Sequence, residues 1–545
     1  MRNLFILLFI AILSCTGNKT KVDTIYFNAT VFTVDSAFSI ANCIAVSDGK
    51  IAAIGDEQDI MNLYDSGNMV DLQGNYIYPG FNDAHCHFFS YAKNREFEAD
   101  LKETKSFEEM IQRVTEFSKN HPFEWIVGRG WDQNDWPVQQ FPDNDTLDIL
   151  FPDVPVVLIR IDGHAVLANS EALKLTGITT DTFFDGGEIF KKDDKLTGIL
   201  LDKAADYLKE RIPPPGHKQM AFALLAAQED LFAAGLTSIT DAGQTKELIL
   251  MYDSLHKSGS LKIKINAMID PNEENFNYFL PNGVFKTDML RVGTIKIYSD
   301  GALGSRGACL LDEYNDDPGN YGLIVESDSF YNDVCKRALD AGYQLSTHAI
   351  GDSAVRMVLN LYGEYLSGQN DKRWRIEHAQ IVDPADLEKF SRFSIVPSVQ
   401  ATHATSDMYW ADSRLGEKRI RNAYCYQQLL NENGWLPNGT DFPIEDISPI
   451  KTFIAAVFRK DHTGFPENGY MIENAISRTD ALKSITIWPA RAEFGENYKG
   501  SLEPGKDADF VVLDKDLMNA GFSDLINIRV LMTIVNGELV FQSDR

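Results

Sequence analysis

The stretch Pro79-Gly80-Phe81-Asn82-Asp83-Ala84-His85-Cys86-His87-Phe88 decides how the rest of the chain is interpreted. A Pro-Gly pair interrupts the chain, and a short run then ends in His-x-His. Residues i and i+2 of a strand face the same side, about 6–7 Å apart, so His85 and His87 point together while Cys86 points away. Two imidazoles at a strand end can share one metal ion. The alternative is two unrelated polar residues at a strand edge.

Short apolar runs alternate with helical patterns over residues 80–494, which predicts parallel βαβ units. The candidate strands are, in chain order, GFNDAHCH, LTSITDAG, KIKINAMID, GTIKIYSD, YQLSTHAI, WRIEHAQ, FSIVPSVQ and PNGTDFP. Eight strand–helix units are the count of a closed barrel. We therefore predict the α/β class, with a TIM-like (β/α)8 barrel over residues 80–494.

The first two candidate strands are separated by far more residues than one helix needs. The segment between them contains strand-like runs of its own, EWIVGRGWD and VPVVLIRIDGHAVLAN. We predict an inserted subdomain over about residues 92–236. It would lie in the loop after strand one, on the face where such barrels hold their active sites.

Both ends of the chain alternate apolar and polar residues in the manner of β-strands. Asp48-Gly49 and Asn536-Gly537 are typical of hairpin turns between such strands. Neither end is long enough to bury a core alone. Residues 22–79 and 495–545 are therefore predicted to form one composite β-sandwich beside the barrel.

The first residues are typical of an export signal, with a basic start, an apolar run over residues 4–13 and then Leu13-Ser14-Cys15. A run of about ten apolar residues is shorter than the roughly 20 that span a bilayer. The Leu-Ser-Cys ending resembles a bacterial lipoprotein signal over residues 1–15. We expect an exported chain, lipid-anchored through Cys15 to the cell envelope, facing the periplasm or the surface. The alternative is a plain secretory signal in which Cys15 is incidental.

The composition excludes a polyanionic partner. The chain has 51 basic and 79 acidic residues, a formal net charge of −28, and a surface so acidic repels nucleic acid. Six cysteines are present, and the five after Cys15 are scattered and odd in number. They do not form a disulfide framework, and we expect buried free thiols.

Several candidate strands carry an ionisable residue near the same end. Lys296 lies in the apolar run VGTIKIY, His348 ends QLSTHAI, His378 lies in RIEHAQ, and Asp441 follows the last run. Each alone has a structural explanation, such as a hydrogen-bonded core histidine or a turn aspartate. Together with His-x-His at the carboxyl ends of barrel strands, they predict a metal site, because imidazole and carboxylate suit zinc or a similar divalent ion.

These segments resemble the amidohydrolase superfamily of metal-dependent hydrolases, in the amidohydrolase-3 branch that includes N-substituted formamide deformylase. The matching segments are PGFNDAHCHF, IDGHAVLANSEAL, IKIYSDGALGSRGA, STHAIGDSAV, RIEHAQ and GTDFPIE. The resemblance implies two divalent metal ions, with Zn2+ expected, and six ligands: His85, His87, Lys296, His348, His378 and Asp441. The first two histidines would hold one metal, the last two the other, and a carboxylated lysine would bridge them.

The activity implied by the resemblance is hydrolysis of a non-peptide C–N bond, such as an amide or N-formyl amine, by a metal-bridging hydroxide. Asp441 would be the catalytic proton shuttle. His164 is a second candidate catalytic residue, which could hydrogen-bond the substrate carbonyl or the oxyanion. Arg306 could hold a substrate carboxylate or carbonyl, and Trp131 could line an aromatic pocket. The partner is a small-molecule substrate, and a dimer is the expected oligomer. One alternative is hydrolysis of a cyclic amide or ester, and another is a catalytically inactive surface binding lipoprotein.

Overall fold

A parallel β-barrel forms the centre of the protein, for which the computed structural model describes residues 19–120, 124–161 and 163–544. The predicted signal segment and Cys15 lie outside these residues. Barrel strands 1 to 7 pair in chain order. They are Phe81–Cys86, Leu236–Gln244, Lys264–Ile269, Leu290–Tyr298, Gln344–Ala349, Arg375–His378 and Val396–Ser398. Phe285–Lys286 pairs antiparallel to barrel strand 4.

An eighth segment, residues 437–442, lies between barrel strands 7 and 1 and nearly closes the barrel. Gly439 N donates to Val399 O at 2.9 Å, and Asp441 N donates to His85 O at 2.8 Å. Glycine is required at this close approach, because a Cβ on Gly439 would lie 2.5 Å from the backbone nitrogen of His85. The predicted α/β barrel class is thus confirmed, with the last strand irregular.

Helices cover the barrel because the outward side chains of its strands are apolar. Helix ends follow the expected capping chemistry: Ser327 accepts from Phe330 N, and Gly342 ends the same helix in the left-handed conformation. The helices are Phe88–Phe97, His217–Ala233, Lys246–Lys257, Glu273–Phe279, Asp328–Ala341, Asp352–Tyr365, Leu387–Phe393, Ala401–Asp407, Ala411–Arg419, Tyr426–Asn433, Pro449–Phe458, Arg478–Ser484, Ile487–Ala492 and Phe522–Leu525.

The segment between barrel strands 1 and 2 has a six-stranded mixed sheet of its own. Its strands are, in spatial order, Glu98–Asp100, Ile126–Trp131, Val156–Arg160, Ala165–Ala168, Lys195–Asp202 and Gly187–Lys192. Successive residues of the third strand, such as Leu158 and Ile159, belong to apolar clusters on opposite faces. The helices of the segment are Phe107–Asn120, Asp145–Leu150, Ser170–Leu175 and Lys203–Lys209.

The two ends of the chain share one six-stranded sheet, in which Phe510–Leu513 pairs antiparallel with Tyr76–Pro79. Its other strands are Glu538–Gln542, Val530–Val535, Thr30–Phe32 and Ile40–Ala41. A four-stranded sheet contains Lys50–Gly55, Cys43–Ser47, Thr24–Phe27 and Asn68–Asp71. Residues of both sheets, including Ile44 and Phe510, form one apolar cluster. The boundaries of a separate sandwich domain stay predictions.

The remaining strands and α-helix are short, namely the strands Thr20–Lys21 and Tyr64–Asp65 and the helix Glu57–Leu63. Short 3-10 helices lie at Gln133–Asp135, Leu280–Asn282, Ile420–Asn422 and Ile472–Asn474. All five cysteines within the described residues are free, as expected. None of the helices in the described part of the chain is long and apolar enough to cross a membrane.

A buried ion cluster joins barrel strand 3 to the sheet shared by the chain ends. Lys264 Nζ lies 2.6 Å from Asp507 and 2.5 Å from Asp509, and all three side chains are less than 9% exposed. Removing one partner of a buried pair leaves charge without compensation in a region of low dielectric. This cluster should therefore contribute strongly to the attachment of the shared sheet.

We predict that Lys264→Met lowers the free energy of unfolding by about 3–5 kcal/mol, because Asp509 would stay buried without a cationic partner and Asp507 would keep only the half-exposed Lys50. Lys257→Met is the matched control, since Lys257 is largely exposed and pairs with Asp253 at 2.6 Å. A surface pair whose lysine is largely exposed contributes about 0–1 kcal/mol. Chemical denaturation followed by fluorescence measures both variants. Equal effects of the two substitutions would contradict the role given to the cluster.

Candidate metal centre

Barrel strand 1 presents two imidazoles to the same space. The rings of His85 and His87 lie 5.5 Å apart between centroids, and their Nε2 atoms lie 3.6 and 3.2 Å from Oδ1 of Asp441. Cys86 turns the other way, with its Sγ 3.3 Å from the carbonyl oxygen of Thr240. One ligand atom from each histidine and from Asp441 lies within 4.8 Å of the others. This group is therefore compact enough to hold one metal ion.

The histidines at the ends of barrel strands 5 and 6 lie beside this first group. The ring of His378 is 4.5 Å from that of His348 and 5.2 Å from that of His85. Burial lowers the pKa of His348 to about 3, so its imidazole is neutral at ordinary pH, the form that binds metal. The structure thus brings together the histidines that the sequence placed on three separate strands.

Three buried ligand atoms in this space form no well-aligned hydrogen bond with the described residues, although Oδ1 of Asp441 lies 3.2 Å from His87. They are Nε2 of His348, Nδ1 of His378 and Oδ1 of Asp441. Buried polar side-chain atoms are normally hydrogen-bonded, so each exception needs an explanation. Two imidazole nitrogens and a carboxylate oxygen are a donor set that suits zinc or a similar divalent ion. The residues present therefore fit a metal centre.

The backbone is left-handed at two of these residues, with φ of 71° at His378 and 64° at Asp441. Such values are uncommon for residues other than glycine and cluster at functional sites. Regular alternation would send Glu377 and His378 to opposite faces of barrel strand 6. Both instead contact the ring of His85, so the left-handed turn adds an imidazole to the barrel interior.

Lys296 is buried inside the barrel, while its neighbours Ile295 and Ile297 belong to the apolar cluster under the helices. Its Nζ lies 3.5 Å from Nε2 of His85 and 4.9 Å from the ring centroid of Tyr298. Within the described part of the chain, no carboxylate forms an ion pair with it. Burial lowers the pKa of Lys296 to about 8. A conventional lysine–carboxylate pair therefore does not explain this residue.

His403 joins the centre although the sequence analysis missed it. Its Nε2 lies 3.3 Å from Oδ2 of Asp441, and its Nδ1 lies 3.0 Å from Oε1 of Glu445. Burial opposes a positive charge, but hydrogen bonds to the two carboxylates raise the pKa of His403 well above its usual value. The residue lies on the helix Ala401–Asp407, just after barrel strand 7. His403 could have been predicted from the sequence, because it lies just beyond the carboxyl end of a barrel strand.

Two of the predicted substrate contacts have other partners in the structure. His164 is exposed, with its Nδ1 3.1 Å from Asp202 and 74% of its side chain accessible. Arg306 forms a two-pronged ion pair with Asp316, at 3.2 and 2.9 Å. Both residues thus differ from the buried histidines of the centre, and their contact with substrate stays a prediction.

Trp131 is a core residue of the insertion. It is fully buried, its Nε1 donates to the carbonyl oxygen of Leu158 at 2.9 Å, and its ring stacks on Trp136 at 5.8 Å. An indole with no accessible surface and a satisfied N–H cannot contact a substrate without unpacking. The contact of Trp131 with substrate therefore stays a prediction, while its observed packing is that of a core residue.

Two neighbouring cavities lead away from the metal centre. One has a volume of about 380 Å3 and is lined by His87 and Tyr298. The other, of about 840 Å3, reaches Trp125 in the insertion. Phe89 and Met220 line both cavities, and we call the pair the entry cleft. These volumes suit small-molecule ligands, and the insertion forms part of the walls.

We predict that adding zinc to metal-free protein raises its melting temperature, because a ligand that binds only the folded state stabilises it. The gain is about 2.7 kcal/mol at a zinc concentration 100 times the Kd. His378→Ala should lose most of this gain. His256→Ala is the control, since His256 is also largely buried but hydrogen-bonds Ile263 O at 3.0 Å, away from the centre. Equal zinc stabilisation in both variants would contradict the assignment.

Most of the chain is similar in sequence to known proteins. A profile of the Amidohydrolase family matches residues 68–541. Protein LONG AFTER FAR-RED 3 of Arabidopsis thaliana is 32% identical, over 95% of this chain and 91% of its own. N-substituted formamide deformylase of Arthrobacter pascens is 26% identical, over 95% of this chain and 98% of its own.

A solved structure has the same overall fold. It is an uncharacterized metal-dependent hydrolase from Pyrococcus horikoshii, 28% identical, with a TM-score of 0.77 over 92% of this chain and 99% of that one. The family profile covers most of the described barrel and reaches into the sheet shared by the chain ends. The protein belongs to the amidohydrolase family and is a metal-dependent hydrolase.

Proposed function

We propose that this protein hydrolyses a non-peptide C–N bond in N-formyl or N-acyl amines at a centre of two divalent metal ions, with zinc as the expected metal. The observation that carries the proposal is the convergence of buried ligand atoms without partners at one end of the barrel. A relative named for deformylation of N-substituted formamides supports this bond type. The proposed ligands are His85, His87, Lys296, His348, His378 and Asp441.

A substrate screen tests the bond type. Purified protein would be assayed with N-formyl amines, N-acyl amino acids, cyclic ureides and simple esters, with and without added zinc. Zinc-dependent turnover of the formyl or acyl amines is the expected result. If only cyclic ureides or only esters are hydrolysed, the proposed bond type is wrong and that substrate class takes its place. A lack of turnover with all of them, in protein that binds zinc, would contradict the proposal.

Asp441 has the geometry of a proton carrier. Its Oδ1 faces the histidines of barrel strand 1, while its Oδ2 lies 3.3 Å from Nε2 of His403. Bound metal ions would supply Lewis-acid polarisation of the carbonyl and lower the pKa of water at the site. Asp441 would then accept a proton from the attacking water and deliver it to the departing nitrogen. His403, fixed by Glu445, would hold the carboxylate in place.

Lys296 is the proposed source of an anionic bridge. A neutral lysine amine attacks CO2, which forms an N–C bond and releases one proton, and the product is a carbamate with two oxygen ligands. Burial without a carboxylate partner favours the neutral amine. An anion at this place would also offset repulsion between two cations.

The entry cleft would accept the substituents of the substrate. Phe89 and Met220 lie between the cavity beside His87 and the larger cavity under the insertion. Apolar walls with a few polar groups are typical of small-molecule sites.

We further propose export and a lipid anchor at Cys15, on the strength of Leu13-Ser14-Cys15. Processing of a Cys15→Ala variant tests this, since an unchanged membrane-bound product would exclude the anchor. The expected dimer stays a prediction.

We predict that Asp441→Asn lowers kcat by at least about 100-fold, the loss expected when a general base is removed. The amide keeps the shape and one oxygen but cannot accept the proton at ordinary pH. Asp253→Asn, on a barrel helix where the carboxylate pairs with the exposed Lys257 away from the centre, is the control and should be unaffected. Near-normal kcat with metal retained in Asp441→Asn would exclude the proton-carrier role.

We predict that Lys296→Ala loses most bound metal and activity, and that bicarbonate does not restore them. A short carboxylic acid added to this variant is expected to recover a little activity by occupying the place of the bridge. Carbon-13 NMR of protein incubated with labelled bicarbonate should show a carbamate signal that the variant lacks. Wild-type protein with one tightly bound metal and no such signal would contradict the bridged centre.

A further inference from the structure

Glu377 on barrel strand 6 is completely buried, and both of its carboxylate oxygens are engaged inside the barrel. Oε2 lies 2.6 Å from Nδ1 of His85. Oε1 accepts from Nε of Arg375 and from Oγ of Ser346, each at 2.6 Å. The carboxylate therefore connects the proposed ligand His85 to two hydrogen-bond donors, Arg375 and Ser346.

These contacts cross the interior of the barrel. Barrel strands 1 and 6 are not neighbours in the sheet. Backbone hydrogen bonds between the two strands therefore do not fix the distance between them. Arg375 also donates from Nη2 to the carbonyl oxygen of Ala84 at 2.8 Å. Arg375 thus holds the main chain at Ala84, and Glu377 holds the imidazole of His85.

The hydrogen bonds also set the orientation of the His85 ring. An ionised carboxylate can only accept, so Nδ1 must carry the hydrogen that it shares with Glu377. In the neutral ring, Nε2 is then left with its lone pair. That atom faces Nζ of Lys296 at 3.5 Å and the carboxylate of Asp441, which is the direction of the metal position.

We propose that Glu377 is a positioning residue for metal binding: anchored by Arg375 and Ser346, it fixes the His85 ring with the Nε2 lone pair toward the metal. This inference rests on the proposed metal centre, but it concerns a residue outside the ligand set. Carboxylates that orient ligand histidines typically change metal affinity 10–100-fold when removed. The metal affinity of His85 on barrel strand 1 therefore depends on Glu377 on barrel strand 6.

The chain offers a matched control in Glu493. This residue is also buried in contact with barrel strand 1, since it accepts from Asn82 at 2.9 Å. It pairs with Lys499 at 2.8 Å and is 2% exposed. Glu493 thus shares the burial and the cationic partner of Glu377 but lies at the opposite end of the strand from His85 and His87. If the loss of any buried carboxylate weakened zinc binding, variants of Glu377 and of Glu493 would lose zinc affinity equally.

The experiment compares Glu377→Gln with Glu493→Gln. Zinc affinity of metal-free protein is measured by competition with a fluorescent chelator, and melting of the metal-free protein is measured alongside. We expect Glu377→Gln to weaken the tightest zinc site by about 10–100-fold, because the amide cannot accept from both His85 and Arg375. Glu493→Gln should lower the melting temperature but leave zinc affinity within about threefold, since it lies outside the ligand shell. Ser346→Ala, a milder change, should shift affinity in the same direction as Glu377→Gln.

Wild-type zinc affinity in folded Glu377→Gln would overturn the inference, as would an equal loss in Glu493→Gln. If Glu377→Gln does not fold, Ser346→Ala decides, and unchanged affinity there overturns it. A wild-type protein that binds no zinc would overturn the proposed function and this inference together. Wild-type zinc binding with unaffected variants would overturn the inference alone.

Discussion

The crowding of buried imidazoles and one lysine at the carboxyl end of the barrel is the constraint on which the site depends. Burial lowers the pKa of both His348 and Lys296, so His348 is neutral at ordinary pH and Lys296 releases its proton more readily than an exposed lysine does. The arrangement is possible because residues 437–442 link barrel strands 7 and 1. Asp83 strengthens this link by accepting from Oγ1 of Thr440 at 2.7 Å. A metal cation bound in this space would coordinate the buried imidazole nitrogens, and that coordination would offset the free-energy cost of removing them from water.

Much of this arrangement follows from periodicity that the sequence shows directly. Alternation in the strand predicted that His85 and His87 face one way, and the apolar neighbours of Lys296 predicted that it faces inward. Parallel strands carry their carboxyl ends to one face, which is why residues from distant parts of the chain meet there. The barrel class could be predicted because each strand is a short apolar run followed by a helical pattern.

Other features depend on local geometry that no periodic pattern contains. His378 reaches the interior through a left-handed backbone turn at φ 71°, and His403 lies on a helix after its strand rather than within it. Glu377 is adjacent to a ligand in sequence, but its function depends on partners on barrel strands 1 and 5. The packing of Trp131 could not be predicted, because an aromatic motif looks the same whether it lines a pocket or packs a core. The substrate is equally undetermined by motifs, since the walls of the entry cleft come from separate segments.

Anomalous X-ray diffraction at the zinc absorption edge, from crystals of the zinc-loaded protein, tests the central claim most directly. We expect two anomalous peaks, one in contact with His85, His87 and Asp441 and one in contact with His348 and His378. Electron density for a carboxylated Lys296 should lie between them. A single peak away from these side chains would contradict the account, as would two peaks with an unmodified Lys296 pointing elsewhere.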